Sequence, residues 1–151
     1  MKRVEIGHTS SVIVMNNEGK ILLSKRKAKE GEGMYGFPGG KSEKGEKPIK
    51  AAKRELEEEL GIKATQLKKI DKRKIRLSKI WSITLFYLLV NEAMEKKIKN
   101  VEPEKTESLD WFDLDNLPEN MWNHNKQYLL ENLPRIQKIL EKSETMNKER
   151  N

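Results

Sequence analysis

Two short apolar runs with a polar turn between them lie near the start of the chain. Residues 12–15 and 21–23 are apolar, and residues 16–19 between them read Asn-Asn-Glu-Gly. Apolar segments separated by a short turn that contains Asn and Gly are typical of a β-hairpin. The pattern therefore predicts two adjacent antiparallel strands.

Two further apolar runs predict two more strands. Residues 80–90 are apolar except for Ser82 and Thr84. A run without alternation is expected for a strand that is buried on both faces, so we predict that it is central in its sheet. Residues 108–112 predict another short strand, and the turn after it ends at Pro118.

Two segments have the residue pattern of helices. Residues 48–60 begin with Pro48, which suits a first helical turn, and Gly61 after them suits a C-terminal cap. Four apolar residues at helical spacing predict the buried face of this helix: Ile49, Ala52, Leu56 and Leu60. Residues 126–140 predict a second helix that Pro134 bends or interrupts, and the polar residues 143–151 predict a disordered tail.

The segment before the first helix is rich in glycine. Five Gly and Pro38 fall within residues 31–40, which predicts a loop of defined shape. We find neither an internal repeat nor a linker in the chain. The sequence therefore predicts one α/β domain over residues 1–142, with helices packed on a mixed or antiparallel sheet.

Composition restricts the class of protein. The 151 residues fit one domain, and the absence of Cys excludes disulfides, thiolate zinc sites and thiol nucleophiles. No apolar run approaches the roughly 18 to 20 residues of a membrane helix, and residues 1–5 lack the apolar core of a signal peptide. These features predict a soluble, cytoplasmic protein without a membrane partner.

The formal net charge is +7, from 31 Lys plus Arg and 24 Asp plus Glu. A basic excess favours a nucleic-acid partner, but abundant Lys together with many Asn and Ile residues is also what codon bias in an AT-rich genome produces. The basic residues are concentrated in residues 63–79, where Asp71 is the single acid.

Three carboxylates are concentrated on the predicted helix. Glu55, Glu58 and Glu59 stand at i, i+3 and i+4 and project from one face. Like charges at this spacing repel one another, and the helix dipole disfavours negative charge near a C-terminus. Either the face is solvated and balanced by neighbouring Lys residues and Arg54, or it binds a cation. Oxygen ligands alone favour a hard ion such as Mg²⁺ or Mn²⁺.

Residues 40–62 resemble the Nudix box, whose pattern is Gly, five residues, Glu, seven residues, Arg-Glu-aliphatic-any-Glu-Glu-any-Gly-aliphatic. All nine specified positions match: Gly40, Glu46, Arg54, Glu55, Leu56, Glu58, Glu59, Gly61 and Ile62. The strand order around the box is similar to the α/β/α sandwich of the family, with a mixed sheet between helices. The resemblance implies an enzyme that hydrolyses phosphoanhydride bonds in nucleoside diphosphates linked to another moiety.

The resemblance also implies roles for residues of the box. Glu55, Glu58 and Glu59 would bind Mg²⁺, with Mn²⁺ as an alternative, and the carbonyl of Gly40 would complete the metal site. Arg54 would orient a glutamate. Glu58 is our candidate for the general base that deprotonates an attacking water, and Glu55 is the alternative.

The segment before the box bears on the substrate. Residues 37–40, Phe-Pro-Gly-Gly, preceded by Arg26, are similar to family members that cleave nucleoside triphosphates. Phe37 and Gly39 are therefore assigned to the substrate site. Arg26 and Lys41 are candidates to contact phosphate oxygens, or they are solvated surface side chains.

Two segments after the box resemble substrate-binding parts of related enzymes. Residues 102–112 are similar to a stretch of MutT-type triphosphatases, and imply that an acid, for which we choose Glu104, reaches the metal or water. Residues 117–125 resemble the segment by which animal-type oxidised-purine triphosphatases hold the base. Trp122 would stack on the base, worth on the order of 1 to 3 kcal/mol, or else it caps the core beneath the last helix.

By the same resemblance, His124 or Asn125 would bind the edge of the purine. The family branch has paired Asp residues where His124 and Asn125 stand in this chain. Different donors and acceptors leave the preferred base, and the tolerance for oxidised guanine, open.

Three functional hypotheses follow. The first is a Mg²⁺-dependent nucleoside triphosphate pyrophosphohydrolase that releases a monophosphate and pyrophosphate and clears oxidised purine nucleotides such as 8-oxo-dGTP. The second keeps the box but changes the substrate to ADP-ribose, a dinucleoside polyphosphate or an RNA 5′ end. The basic residues 63–79 favour RNA, whereas the lack of an extra domain to hold RNA argues against it. The third is a nucleotide-binding module without catalysis, and the complete set of box carboxylates argues against it.

Overall fold

The computed structural model describes the backbone of residues 6–27, 29 and 31–150 and the side chains as far as Ser143. Residues 1–5, where the sequence predicts no signal peptide, and Asn151 lie outside the described part. The strands are β1 (Ile6–Met15), β2 (Ile21–Arg26), β3 (Tyr35–Gly36), β4 (Gly39–Lys41), β5 (Lys68–Arg76), β6 (Ile80–Leu89) and β7 (Thr106–Phe112). The helices are α1 (Pro48–Leu60), α2 (Glu92–Glu95), α3 (Asn123–Glu131) and α4 (Leu133–Arg150).

The strands form one mixed sheet. Its order is β3-β2-β1-β6-β5, with β4 paired to β1 and β7 paired to β2. β1 and β6 are parallel over their whole length, and the other pairs are antiparallel. The prediction that residues 80–90 form a central strand is confirmed, because β6 lies between β1 and β5.

Helices cover both faces of this sheet, as the predicted α/β/α sandwich requires. Successive residues of β1 alternate between the two faces, so that Val12 and Val14 pack with Leu56 of α1. Ile13 and Met15 face the other way and pack with residues of α3 and α4. The sheet therefore separates two apolar cores, one on the α1 side and one on the α3 and α4 side.

The predicted helix 48–60 is confirmed as α1, with Pro48 in its first turn and Gly61 in the left-handed conformation at its end. The prediction that Ile49 is buried is wrong, because 38% of its surface is exposed. Helical side chains lean toward the N-terminus, so a side chain in the first turn projects past the start of the helix. The buried face consists of Ala51, Ala52, Leu56 and Leu60.

The single helix predicted over residues 126–140 is two helices in the structure. Asn132 separates α3 from α4, and Pro134 lies in the first turn of α4, where its missing N–H leaves no hydrogen bond unmade. The prediction of an interruption near Pro134 is confirmed. The disordered tail predicted over residues 143–151 stays a prediction. The backbone of α4 is helical through Arg150.

Four elements were absent from the sequence prediction. β3 and β4 lie in or at the end of the predicted glycine loop, and the other two are β5 and α2. β5 lies within the basic segment 63–79, and α2 begins where the Asn91 side chain accepts a hydrogen bond from the Met94 N–H. Within the described residues, no helix is long and apolar enough to span a membrane.

Candidate active site

The glycine loop and the acidic helix meet at β4. Gly40 pairs with Ser10 of β1, and the Ser10 hydroxyl donates a 2.9 Å hydrogen bond to the Pro48 carbonyl at the start of α1. This arrangement brings Gly40 against Glu55. A Cβ atom at Gly40 would lie 2.6 and 2.7 Å from the two Glu55 carboxylate oxygens, so a side chain there would displace the Glu55 carboxylate.

Gly39 holds a second carboxylate. Its N–H donates a 3.1 Å hydrogen bond to Oε2 of Glu59. Gly39 has φ of 144°, and a Cβ atom there would overlap the Ser10 carbonyl oxygen. The two glycines therefore let the backbone of β4 approach both β1 and the carboxylates of α1.

Arg54 joins the remaining carboxylates. Its guanidinium donates to both oxygens of Glu46, through Nε at 2.9 Å and Nη2 at 3.0 Å. Nη1 donates to Glu55 at 3.0 Å and to Glu58 at 3.2 Å, and Nη2 also donates to the Lys41 carbonyl at 3.0 Å. Arg54 thus links three acids to the backbone of β4, in a bidentate geometry that Lys cannot reproduce.

The pKa values of the acids in this cluster depend on the balance between hydrogen bonds from Arg54, which lower them, and burial, which raises them. Hydrogen bonds from Arg54, and then from the Glu43 N–H, lower the pKa of Glu46 to about 2. Burial raises the pKa of Glu55 although Arg54 opposes the shift. Burial, and then the charges of Glu55 and Glu102, raise the pKa of Glu59 to about 8 against the Gly39 hydrogen bond. Two acids are therefore held where a negative charge is unfavourable without a cation.

Glu102, rather than Glu104, interacts with this cluster. The charge of Glu102 raises the pKa of both Glu55 and Glu59, and its side chain is 21% exposed with Lys105 at 3.3 Å. Glu104 is exposed. The sequence prediction chose the acid two positions away from the one whose charge acts on Glu55 and Glu59, and the choice of Glu104 stays a prediction.

The chemistry of the cluster fits a hard divalent cation. Every donor is an oxygen, and Glu55 and Glu59 repel each other in a partly buried place. As the side chains stand, no three His, Asp or Glu residues in the described ranges converge as a metal site. Glu55 and Glu58 instead point their carboxylates at Arg54. A cation would therefore compete with Arg54 for them.

The N-terminus of α3 lies beside the same loop. Tyr35 of β3 connects them, because its N–H donates to the Asn120 carbonyl and its own carbonyl accepts from the Trp122 N–H, both at 2.8 Å. Oδ1 of Asn125 then accepts a 3.1 Å hydrogen bond from the Phe37 N–H. These contacts fix the first turn of α3 against residues 35–37.

A cavity of about 180 Å³ lies between this turn and the sheet. It lies on the sheet face opposite α1, because Ile83 and Leu85 in its wall belong to the core on the α3 and α4 side. Its walls combine apolar side chains of β5 and β6 with polar residues of β5 and α3. The lining residues are Arg73, Lys74, Ile75, Ile83, Leu85, His124, Asn125, Gln127 and Tyr128.

The cavity and the carboxylates are anchored to one short piece of backbone. Asn125 in the cavity wall binds the Phe37 N–H, and Glu59 binds the Gly39 N–H. Two residues of extended chain span at most about 7 Å. The two anchoring contacts are therefore close together along the chain, whereas the cavity and α1 lie on opposite faces of the sheet.

The other residues predicted for the substrate site are more scattered. The Arg26 side chain is exposed, and Lys41 places its Nζ 5.3 Å from the centre of the Trp81 ring. Trp122 is half-buried with its ring beside Gly31 and Gly36, and it does not line the cavity described above.

Sequence reasoning missed Glu102 and the part of the cavity wall that β5 supplies. Arg73 of β5 pairs with Glu131 at 3.0 Å and places its guanidinium 5.2 Å from the centre of the Tyr128 ring. The sequence does contain a signal for this strand. Arg73 and Ile75 alternate with exposed Lys residues, as expected for a strand with one exposed face. The Tyr128 hydroxyl is buried near Asp71, and burial, followed by the charge of Asp71, raises the pKa of this side chain to about 12.

Comparisons with known proteins agree with this geometry. The family model described as NUDIX domain matches residues 7–133. The chain is 40% identical over 82 residues to the 8-oxo-dGTP diphosphatase of Haemophilus influenzae, a match covering 53% of this chain and 59% of that protein. It is 32% identical over 120 residues to the oxidized purine nucleoside triphosphate hydrolase of Danio rerio, covering 74% of this chain and 70% of that protein.

A third relative is named for a different activity. The ADP-ribose pyrophosphatase of Bacillus subtilis is 44% identical over 72 residues, covering 46% of this chain and 39% of that protein. The chain thus spans less than two thirds of the H. influenzae and B. subtilis proteins. Among solved structures, the MutT NUDIX hydrolase from Burkholderia pseudomallei superposes with a TM-score of 0.73 at 28% identity, covering 83% of this chain and 96% of that one.

Proposed function

The chain belongs to the Nudix family, and from this premise we propose that it is a Mg²⁺-dependent nucleoside triphosphate pyrophosphohydrolase. It would cleave a phosphoanhydride bond to give a nucleoside monophosphate and pyrophosphate, with oxidised purine nucleotides such as 8-oxo-dGTP among its substrates. The names of the H. influenzae and D. rerio relatives support this substrate class.

The observation that carries the proposal is the short backbone segment shared by the two halves of the site. Phe37 and Gly39 anchor Asn125 and Glu59 respectively. A base in the cavity would therefore leave its phosphates within reach of the carboxylates of α1.

The residues of the site have distinct proposed roles. Glu55, Glu58, Glu59 and the Gly40 carbonyl would hold the cation, which supplies charge neutralisation at the phosphates and a more acidic water. Glu58, whose side chain is 49% exposed, would take the proton of the attacking water, with Glu55 as the alternative base. Arg54 would fix the orientation of these carboxylates.

The remaining proposed roles concern the substrate. Phe37 and Gly39 shape the loop, and Arg26 and Lys41 would contact phosphate oxygens. Trp122 would stack on the base, and His124 and Asn125 would bind its edge. Trp122 lies beside Gly31 rather than in the cavity wall. Its ring would therefore have to stack on the base from the rim of the cavity.

A substrate panel tests the proposal. Purified protein with Mg²⁺ should release pyrophosphate from nucleoside triphosphates.

Glu58→Gln should reduce kcat by roughly 10²- to 10⁴-fold, whereas Glu57→Gln, one position away and exposed, should leave kcat unchanged. Equal rates for the two variants would refute the assignment of Glu58.

A matched pair of variants tests which acid of the segment before β7 assists the metal site. We propose that Glu102, in place of Glu104, assists the metal site, because its charge interacts with Glu55 and Glu59. Glu102→Gln should weaken the activation of the enzyme by Mg²⁺, and Glu104→Gln should not. The opposite ranking would restore the sequence-based choice.

ADP-ribose is the second candidate substrate, and the match to the B. subtilis enzyme favours it. The same panel separates the candidates, because ADP-ribose would yield AMP and ribose 5-phosphate without pyrophosphate. Dinucleoside polyphosphates and RNA 5′ ends belong in the panel too, the latter because β5 exposes several basic side chains. A protein that bound nucleotides and cleaved none would be the non-catalytic module.

A further inference from the structure

We propose that Lys105 is a further substrate-contacting residue, whose ammonium group binds the two phosphates that a nucleoside triphosphate loses as pyrophosphate. The inference rests on the proposed function, because it assumes that a triphosphate occupies the site. It deepens that function by naming a residue for the terminal phosphates that lies outside both the box and the cavity wall.

The loop that carries Lys105 is fixed to the end of α1 that carries the carboxylates. The Val101 N–H donates a 3.1 Å hydrogen bond to the Glu59 carbonyl. The Lys99 N–H donates a bond of the same length to the Leu60 carbonyl. The loop therefore lies on the α1 side of the sheet, and its backbone is held next to a residue of the acidic cluster.

The position of Lys105 within this loop is also fixed. Its N–H donates a 3.0 Å hydrogen bond to the Glu102 carbonyl, and its own carbonyl accepts a 2.9 Å bond from the Lys27 N–H just beyond β2. Its Nζ lies 3.3 Å from the Glu102 carboxylate. This contact, and then the charges of Glu104 and Glu55, raise the pKa of Lys105, so that the ammonium keeps its charge beside the cluster.

The sheet places Lys105 and the cavity on opposite sides of the carboxylates. The cavity is lined by β5 and β6, at one end of the strand order. β4, which carries Gly39 and Gly40, pairs with β1 in the middle of the sheet. β7 pairs with β2 farther along, where Arg26 is opposite Thr106, the neighbour of Lys105. The order across the sheet is therefore cavity, carboxylates, Lys105.

Lys105 also stands level with the carboxylates along the strands. β1 and β2 are antiparallel and meet at Met15 and Ile21. Ser10 of β1 and the last residue of β2 lie equally far from that pair, so they are at about the same height in the sheet. Ser10 pairs with Gly40, against which Glu55 lies. The end of β2, with Lys105 beside it, is thus level with the acidic cluster.

This order suits the terminal phosphates of a triphosphate. A cation at the carboxylates would meet the phosphate chain in its middle, and the end of the chain would extend away from the cavity toward Lys105. An ammonium group is a compact charge that binds phosphate oxygens. The Lys105 side chain is 69% exposed, and an exposed ion pair such as that with Glu102 contributes little to stability. Its ammonium can therefore leave Glu102 for a phosphate.

Binding of pyrophosphate itself tests the inference. Calorimetry with pyrophosphate at saturating Mg²⁺ should give a Kd about 10-fold larger for Lys105→Met than for the wild type. Lys105→Arg keeps the cation and should retain most of the affinity. Lys96→Met is the matched control, because Lys96 is as exposed and pairs with Glu92 at 3.5 Å on the short helix α2. The control should bind pyrophosphate as the wild type does.

Product inhibition provides a second measurement. Inhibition of triphosphate hydrolysis by pyrophosphate should weaken by the same factor in Lys105→Met. Inhibition by the nucleoside monophosphate should stay unchanged, because that product contains neither terminal phosphate. The comparison distinguishes a contact with the terminal phosphates from a general loss of substrate binding.

The outcomes separate the inference from the function on which it rests. Equal pyrophosphate affinity in the wild type and Lys105→Met, or no binding to the wild type, overturns the inference even if triphosphates are hydrolysed. A loss confined to activation by Mg²⁺ also overturns it, since Lys105 would then act through Glu102. A protein that binds pyrophosphate through Lys105 but cleaves no triphosphate supports the inference and refutes the proposed function.

Discussion

Arg54 is the residue on which the geometry of the carboxylates depends. It donates to Glu46, Glu55 and Glu58 and to the Lys41 carbonyl, so that one side chain ties α1 to β4 and the loop between them. Replacing Arg54 removes all of these contacts together, so the three carboxylates lose the group that orients them. Its contribution should therefore appear in catalysis and metal affinity.

We predict that Arg54→Lys lowers kcat/KM by about 10- to 100-fold. Lysine keeps the charge but cannot donate to both oxygens of Glu46 while also reaching Glu55 and Glu58. Steady-state kinetics over a Mg²⁺ titration measures the loss, and circular dichroism checks the fold. Lys53→Ala, on the neighbouring exposed position of α1, is the control. Activity close to wild type in Arg54→Lys would show that the bidentate geometry is unimportant.

Glu59 predicts a pH dependence of stability. Its pKa is about 8 in the folded chain against an ordinary value of 4.5. Between these values the folded state binds a proton that the unfolded state has lost, so the free energy of unfolding contributed by Glu59 falls as the pH rises through this window.

We therefore expect the Tm of the metal-free protein to fall more steeply between pH 4.5 and about pH 8 than the Tm of Glu59→Gln. Added Mg²⁺ should reduce the difference, because a cation stabilises the ionised carboxylate. Thermal melts across pH, with and without chelator, provide the measurement. Parallel curves for wild type and variant would mean that Glu59 is ionised throughout.

Among the elements, α1 is both the carrier of the site and a structural core element. Leu56 is fully buried between the sheet and the helix, whereas Ile49 in the first turn is 38% exposed. We predict that Leu56→Ala lowers the free energy of unfolding by about 2 to 5 kcal/mol. Ile49→Ala should change it by about 0.5 kcal/mol or less. Urea denaturation compares them, and equal losses would contradict the packing described for α1.

The elements that the sequence predicted well are those in which one local signal is strong. The bounds of α1 follow from Pro48 and Gly61, and β6 from a long apolar run. The nine positions of the box fix which face of α1 carries the carboxylates. Each of these features depends on residues close together in the chain.

The elements that it missed depend on tertiary contacts. β5 is an edge strand whose exposed face is basic, so its hydrophobic signal reduces to Ile70 and Ile75. The choice of Glu104 over Glu102 stays a prediction, because sequence alone does not show which of two nearby acids points at α1. The cavity was missed for the same reason, since its wall joins β5, β6 and α3.

For the whole molecule, the distribution of charge matters more than the sum of +7. Acids collect at α1 and around Arg54, while β5 carries six basic residues and one acid on the edge of the sheet. Charged side chains on an edge strand oppose pairing with other chains. The basic excess therefore has a structural use that needs no nucleic-acid partner, and the acidic cluster is where a cation and phosphates would bind.

The identity of the products tests the central claim most directly. The protein with Mg²⁺ and a nucleoside triphosphate should yield the monophosphate and pyrophosphate in equal amounts, measured by phosphorus NMR, and chelation of the metal should stop the reaction. Formation of a diphosphate and inorganic phosphate, or no cleavage of any triphosphate while ADP-ribose is hydrolysed, would contradict the account.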